Sequence, residues 1–215
     1  MIISPITYEE RITYLLCTNY KYATEIIDFM EHNPEFLKIG HLIALTEKPL
    51  AYNKPEMPKC AFEMLIYYIA EAGVNANYGY KQWLTIKDYI RLNKDDPLTD
   101  LLNNVNIQPK KRQVYNDINL YLAKNNIKHY NLTVDDVIKM QHIKGIGDGC
   151  ITFLQTMFDR EITLPNYSDI GFKKGFQKFY ELDKRPTKKQ VFEKTKDWSN
   201  IKIGNMFMFQ CYHYL

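Results

Sequence analysis

The apolar positions of this chain recur mostly at three- and four-residue intervals, the period of helices that bury one face. Ile26, Ile27 and Met30 mark one such face. Thr7 followed by Glu10 has capping-box spacing and predicts a helix start. The run 61–72, AFEMLIYYIAEA, is apolar nearly all round, which places a helix in the centre of a domain. Val114, Ile118, Tyr121 and Leu122 outline an amphipathic helix over 110–124. Thr133, Asp135 and Asp136 open a short helix over 134–141 that carries Val137 and Ile138. Ile151, Leu154 and Phe158 space a helix over 150–158, and Phe172, Phe176, Phe179 and Tyr180 space another over 170–180. Residues 201–214 form an apolar C-terminal helix. The stretch 46–59, TEKPLAYNKPEMPK, reads as a linker, 92–100, LNKDDPLTD, as a second break, and 161–169, EITLPNYSD, as a loop. Only short pieces suit strands, and there is no repeat. The fold class is all-α.

Length and composition fit that class. At 215 residues the chain makes one domain, or one domain of two packed lobes. Its 46% hydrophobic and 25% charged content argues against disorder, a collagen or a disulfide scaffold. No apolar run approaches the ~20 residues of a membrane-spanning helix. The segment MIISPITYEER has neither a basic n-region nor a long h-region, so no signal peptide is expected. The expected location is intracellular: cytoplasmic in a prokaryote, nuclear in a eukaryote. Cys17, Cys60, Cys150 and Cys211 are far apart and form no C-x-x-C pair, which disfavours a local zinc or iron–sulfur site and predicts reduced thiols.

The net charge of +3 conceals two basic blocks. Residues 107–130 carry +4, around Lys110, Lys111 and Arg112, and residues 171–196 carry +6, including Lys173 and Lys174. Such blocks either neutralise phosphates or form solvated helix faces.

Three of the nine glycines, Gly145, Gly147 and Gly149, fall within five residues, HIKGIGDGC, between two predicted helices. A tight glycine turn feeding a helix N-terminus exposes N–H groups that suit a phosphate oxygen. A plain turn between packed helices is the alternative. The cluster lacks both the G-x-x-x-x-G-K-[ST] loop and a complete G-x-G-x-x-G.

The stretch 143–153, IKGIGDGCITF, resembles the helix–hairpin–helix motif with core L-P-G-I-G-x-x-x-A. LPNYSDIGFKKGF then resembles the loop of the HhH-GPD superfamily of DNA glycosylases that ends in a catalytic aspartate, here Asp169. AFEMLIYYIAEAGVN is similar to the A-F-E-x-x-x-x-x-I helix of that superfamily, NIQPKKRQVYNDINLYL to its G-x-x-x-x-K-A-x-x-I-x-x-x-A helix, and DWSNIKIGNMFMFQCYHYL to its W-x-x-x-R-x-x-A-x-x-Y-L-W helix. The match spans 58–215 and sets residues 1–57 apart as an acidic, helical N-terminal section, which either completes a lobe or serves a partner. Within the core, the hairpin motif occupies 134–158 and the aspartate loop 161–169.

The resemblance implies a two-lobed helical fold and excision of a damaged or mismatched base from double-stranded DNA by a monomer. The base is flipped out of the duplex. Asp169 stabilises the oxocarbenium-like transition state and orients or deprotonates a water. As the residue before a predicted helix, Asp169 is also an N-cap candidate, and the helix dipole is expected to favour its ionised form. The hairpin, Ile143, Lys144, Gly145, Ile146, Gly147 and Gly149, is expected to hold the DNA backbone through N–H groups. Lys110, Lys111, Arg112, Lys173 and Lys174 are expected phosphate contacts, and Phe153, Trp198 and Tyr78 expected base-pocket aromatics. No cofactor is implied beyond a monovalent cation at the carbonyls of Ile143 and Ile146.

The chain departs from the pattern in several places. Gly149 stands where base-excising lyases carry a Schiff-base lysine, and Lys144 where the motif has Pro, so the reading is a monofunctional glycosylase. The closest branches are those without an iron–sulfur cluster, such as 3-methyladenine and 8-oxoguanine glycosylases, although Gly149 replaces the Trp frequent in methylpurine enzymes. Ile151 replaces a small Ala, and the loop reads P-x-x-x-D rather than P-x-D. Ala72 and Gly73 occupy the positions of a Gln and a bulky wedge, leaving Asn75, Asn77 and Tyr78 nearby to fill the gap left by a flipped base. The alternatives are a non-catalytic hairpin DNA-binding protein, a bifunctional glycosylase using another lysine, and a helical interaction module without a nucleic-acid role.

Overall fold

The structure is a computed structural model that describes residues 22–39, 56–74, 76–92, 96–158 and 160–215. Thr7, Glu10, Cys17, Asn75 and most of the Pro-rich stretch therefore lie outside the described residues. The described residues contain α-helices and two 3-10 turns and no strand, so the protein is all-α. The helices are α1 (Ala23–His32), α2 (Ala61–Glu71), α3 (Ala76–Leu92), α4 (Pro97–Asn104), α5 (Pro109–Lys124), α6 (Val134–Lys139), α7 (Asp148–Met157), α8 (Ile170–Phe179), α9 (Lys188–Thr195) and α10 (Ile201–Tyr214). The chain divides into two compact units. Unit 1 joins residues 1–53 to 161–215, and unit 2 is residues 54–160.

Unit 2 is built around α2, which packs against α3, α5 and α7. Nine of its eleven residues are buried, which is why its sequence shows no polar face. One of the nine is Glu63. Its carboxylate takes a fork of two bonds from Arg91, 2.9 Å from Nε and 3.0 Å from Nη2, and a third from the Lys59 N–H at 2.9 Å. Arg91 also reaches the Met57 carbonyl and the Glu56 carboxylate, and its guanidinium lies 5.6 Å from the Trp83 ring centre. This cluster fastens the chain entering α2 to the last turn of α3.

Unit 1 is aromatic. The 3-10 turn Pro34–Ile39 sets Phe36 against Phe29 at 4.9 Å, Phe179 at 4.7 Å and Phe207 at 5.1 Å between ring centres. Helix α1 and this turn share one core with α8 and α10, so the described part of the N-terminal section completes a hydrophobic core. The inward face of α1 is Ile26, Phe29 and Met30, with Ile27 only half-buried. Helices α8 and α10 meet closely because Gly175 has no side chain; a Cβ there would run into the Met208 carbonyl.

Several boundaries differ from expectation. The break expected at 92–100 overlaps α4, because Pro97 begins a helix rather than interrupting one. Pro lacks only an N–H that the first turn leaves unused, and Asp96 caps the turn by accepting the Thr99 N–H at 3.2 Å. The buried stripe of α5 is Lys111, Tyr115, Ile118 and Leu122, turned slightly from the Val114, Ile118, Tyr121 and Leu122 face. Helices α3 and α9 had not been delimited from the sequence. Cys60, Cys150 and Cys211 are free thiols, and burial pushes Cys150 and Cys211 up to about 12.

Arg91→Met leaves the Glu63 carboxylate buried without its cation. The expected cost is about 3 kcal/mol, read by calorimetry as a melting-temperature drop of roughly 6–12 °C for a chain of this size.

Candidate functional site

In unit 2, a capping box opens α6: Thr133 Oγ1 accepts the Asp136 N–H at 3.2 Å, and Asp136 Oδ2 accepts the Thr133 N–H at 3.2 Å. The chain then turns through Ile143 N–H to Met140 O at 2.8 Å and Ile146 N–H to Ile143 O at 3.0 Å, and enters α7 at Gly147. Ile143 and Ile146 are 6% and 1% exposed, so their side chains pin the turn into the core and face no ligand. Their N–H groups are consumed within the turn. Lys144, Gly145 and Gly147 are exposed, and the N–H groups of Gly145, Gly147 and Gly149 bond to nothing among the described residues. Gly145 has φ +108°, a backbone that L side chains rarely adopt, and a Cβ there would also sit 3.0 Å from Val114 Cγ2. Gly149 is buried in the first turn of α7 rather than in the hairpin turn itself.

The first basic block does not form a phosphate stripe. Lys111 is 9% exposed, and its ammonium donates to Ala70 O at 2.6 Å and Gln82 Oε1 at 3.2 Å. Arg112 donates to the carbonyls of Leu102 at 2.6 Å and Val105 at 3.2 Å. Both cations satisfy carbonyls that the helices leave open where α2 and α4 end, the positions at which helix dipoles favour positive charge. Burial holds the Lys111 amine below its ordinary range. Only Lys110 of the three is exposed.

Lys111 lines a pocket of about 200 Å³ with Tyr78, Gln82, Asn106 and Gln108 over a floor that includes Tyr115. Tyr78 is 48% exposed there. Phe153 is elsewhere in unit 2, half-buried on α7 with its ring 5.3 Å from Tyr68 and 6.5 Å from Tyr67. Trp198 is 7% exposed in the core of unit 1, edge-on to Phe29 and Phe36, and is structural rather than a base-stacking surface. A Cβ at Gly204 would run into its ring, so the closely packed α10 backbone fixes it. Ala72 and Gly73 are exposed after α2, and a Cβ on Gly73 would meet open space.

In unit 1, Asp169 caps α8: Oδ1 accepts the Phe172 N–H at 2.8 Å. Its own N–H donates to Asn166 O at 3.1 Å, and the Asn166 N–H donates to Asn205 Oδ1 on α10 at 3.0 Å. Burial raises the Asp169 carboxyl above the ordinary aspartate value, against the N–H groups of Phe172 and Gly171 and the charge of Lys173. The expectation that the helix dipole would favour the ionised form is thus outweighed, because desolvation penalises the charge more than two N–H groups and one lysine reward it. Leu164 and Ile170, on either side of the loop's end, are 46% and 55% exposed. Lys173 and Lys174 lie with their ammonium groups 5.0 Å from the ring centres of Tyr167 and Tyr212 and form no ion pair among the described residues.

Asn166, Asn205 and Gln82 carry hydrogen bonds of these sites without matching a defining residue of any motif of the sequence. Asn205 shares its largely apolar helix with Lys202, Gln210 and His213, so its polarity alone does not mark it. No group of three or more His, Cys, Asp or Glu among the described residues could hold a metal ion. No described helix is long and apolar enough to cross a membrane.

These features define an all-helical protein with a glycine hairpin opening one helix and a half-buried aspartate opening another. No protein-family model matches the chain, and no curated protein sequence matches it. Its fold is similar to that of the Schizosaccharomyces pombe 3-methyladenine DNA glycosylase Mag1, solved in complex with abasic DNA. The TM-score is 0.57 at 16% sequence identity, over 79% of this chain and 88% of that one.

Lys111→Met removes the ammonium that caps α2 and frees two acceptors. The expected loss is about 1–3 kcal/mol, whereas exposed Lys110→Met changes stability by at most ~0.5 kcal/mol; chemical denaturation of both variants distinguishes the two.

Proposed function

We propose that this protein is a monofunctional DNA glycosylase that flips a damaged or mismatched base out of double-stranded DNA and hydrolyses its N-glycosidic bond. The observation that carries the reading is Asp169, a desolvated carboxylate capping a helix, in a chain with the fold of a DNA glycosylase. The exposed hairpin tip, with N–H groups left over at the N-terminus of α7, supports DNA-backbone binding.

In the proposed reaction the C1′–N bond breaks and its electron pair leaves with the base. Positive charge then develops on the sugar, and the Asp169 carboxylate stabilises it electrostatically, an effect strengthened by its partial burial. Water adds to C1′ as the sugar hydroxyl, and the proton it gives up passes to the departing base or to solvent. Desolvation raises the energy of the ionised aspartate in the free protein, and an adjacent cationic sugar relieves that cost. The buried Gly149 at the lyase-lysine position supports hydrolysis without a Schiff base. A monovalent cation at the hairpin fits the carbonyls present. Ile143 O accepts one N–H and retains a lone pair, and Ile146 O accepts none among the described residues. Such an ion would brace the turn.

Exposed Lys110, Lys144, Lys173 and Lys174 supply the phosphate contacts in this reading, and Tyr78 and Phe153 remain the aromatic candidates for base contact. The protein acts as an intracellular monomer. The alternative, a non-catalytic hairpin DNA-binding protein, makes Asp169 a helix cap alone.

Duplexes that each carry one lesion, treated with alkali after incubation, identify the substrate by strand breaks at abasic sites. Asp169→Asn is expected to slow release about 10²–10³-fold while keeping binding to an abasic duplex. Its melting temperature at neutral pH is expected not to fall, since Asn caps a helix as well as Asp and carries no charge to desolvate. Wild-type release falls as pH drops through the raised Asp169 value, so the acid limb lies above the ordinary aspartate range. Release by Asp169→Asn at the wild-type rate overturns the assignment, and borohydride trapping of a covalent adduct overturns the monofunctional mechanism.

A further inference from the structure

The aspartate loop is fastened by an amide with incomplete hydrogen bonding. Asn166 and Asn205 are 7% and 5% exposed, and between them they make one bond, Asn166 N–H to Asn205 Oδ1 at 3.0 Å. Asn205 Nδ2 and Asn166 Oδ1 are buried with no protein partner. A donor and an acceptor stranded in a core oppose folding, and protein interiors contain few of them.

The bond's position ties the loop to its aspartate. Asn166 is the residue after Pro165 in the loop, and its carbonyl accepts the Asp169 N–H at 3.1 Å. Asp169 in turn caps α8 through Phe172. A continuous chain of hydrogen bonds therefore runs from α10 through Asn205 and Asn166 to Asp169. Helix α10 is a rigid base for it, since the α8 and α10 backbones approach so closely at Gly175 that neither slides. Gly171 completes the arrangement: a Cβ there would sit 3.0 Å from Asp169 Oδ1 and 3.1 Å from the Phe209 ring. In the terminal-helix pattern W-x-x-x-R-x-x-A, Trp198 and Lys202 set the register and Asn205 falls on the alanine. The same chain spaces its loop P-x-x-x-D instead of P-x-D. A longer loop and a longer side chain to hold it occur together.

We propose that Asn205 is a positioning residue for base release: its side-chain oxygen anchors the Asn166 N–H and so fixes where the Asp169 carboxylate stands and how far water reaches it. The proposal rests on the glycosylase reading of Asp169.

Four proteins test it: wild type, Asn205→Ala, Asp169→Asn and Asn200→Ala. Asn200 caps α10 through the Ile203 N–H at 3.1 Å and lies outside the hydrogen-bond chain from Asn205 to Asp169, so its replacement is expected to lower stability alone. Single-turnover base release is followed across pH on duplex DNA treated with dimethyl sulfate, or on the lesion found active in the panel above. Binding to a duplex with a tetrahydrofuran abasic analogue and the melting temperature are measured alongside. Asn205→Ala is expected to slow release by up to about a hundredfold, with abasic-duplex affinity kept. Its acid limb moves to lower pH as water reaches the carboxylate. Asn200→Ala keeps the wild-type rate and acid limb despite its lower melting temperature. The wild-type Asn166 amide is expected to exchange with deuterium as slowly as the amides in the middle of α10, a measurement that holds even if a variant fails to fold.

If Asn205→Ala matches wild type in rate and acid limb while Asp169→Asn is inactive, the positioning role is wrong and the catalytic assignment stands. Exchange of the Asn166 amide at open-loop rates also overturns the positioning role. If Asp169→Asn releases bases at the wild-type rate, both fall.

Discussion

The contact on which the aspartate loop depends is the one between the α8 and α10 backbones at Gly175, where a single Cβ would not fit. A side chain at this position would push the helices apart by about its own width, and well-packed interiors do not absorb such a change locally. The consequences extend to the start of α8. Asp169 caps that helix, and the residue holding its loop, Asn205, projects from the other helix of the pair. Helix separation and carboxylate position are therefore one geometric quantity. The aromatic core of Phe29, Phe36, Phe179 and Phe207 holds the pair from behind, so residues 22–39 serve the aspartate although none of them approaches the loop in sequence.

Unit 2 solves a different problem, which is how to bury a helix with no polar face. With nine of its eleven residues buried, α2 has cations brought to both of its ends. Arg91 neutralises Glu63 in the first turn, and Lys111 meets the Ala70 carbonyl at the last. Arg112 does the same for α4. Positive charge that looks like a nucleic-acid stripe in sequence is here used internally. The second basic block differs: Lys173, Lys174 and Lys178 rest on aromatic rings or a carbonyl and make no ion pair among the described residues, which leaves their charge available to an external anion.

The legibility of the chain follows from these facts. Helices α5, α8 and α10 are readable within a residue or so because the apolar residues that outline them face a core. The hairpin is readable because Gly145 occupies a backbone that excludes side chains. What escapes is whatever depends on a distant partner. Lys111 and Lys110 are adjacent and chemically identical, and only the position of the α2 carboxyl end decides that one is buried. Trp198 appeals as a stacking aromatic until the rings of Phe29 and Phe36 are seen to enclose it. Pro97 is equally ambiguous, since proline both ends helices and begins them.

Asp169 shows the limit most sharply, because its cap role is local and its electrostatics are not. The N-cap is visible in the residues that follow, and the helix N–H groups do favour its charge. Burial opposes that preference and outweighs it. A carboxylate held partly out of water at a helix start is in a state that helix capping alone does not require, since an exposed Asp, Asn or Ser caps as well. The excess desolvation is what a stabiliser of nascent positive charge uses: low local dielectric strengthens its attraction for a cation, and fixed N–H donors keep it from turning away. The cap takes up Oδ1, which accepts the Phe172 N–H, and the charge stabilisation proposed for Asp169 is compatible with that cap.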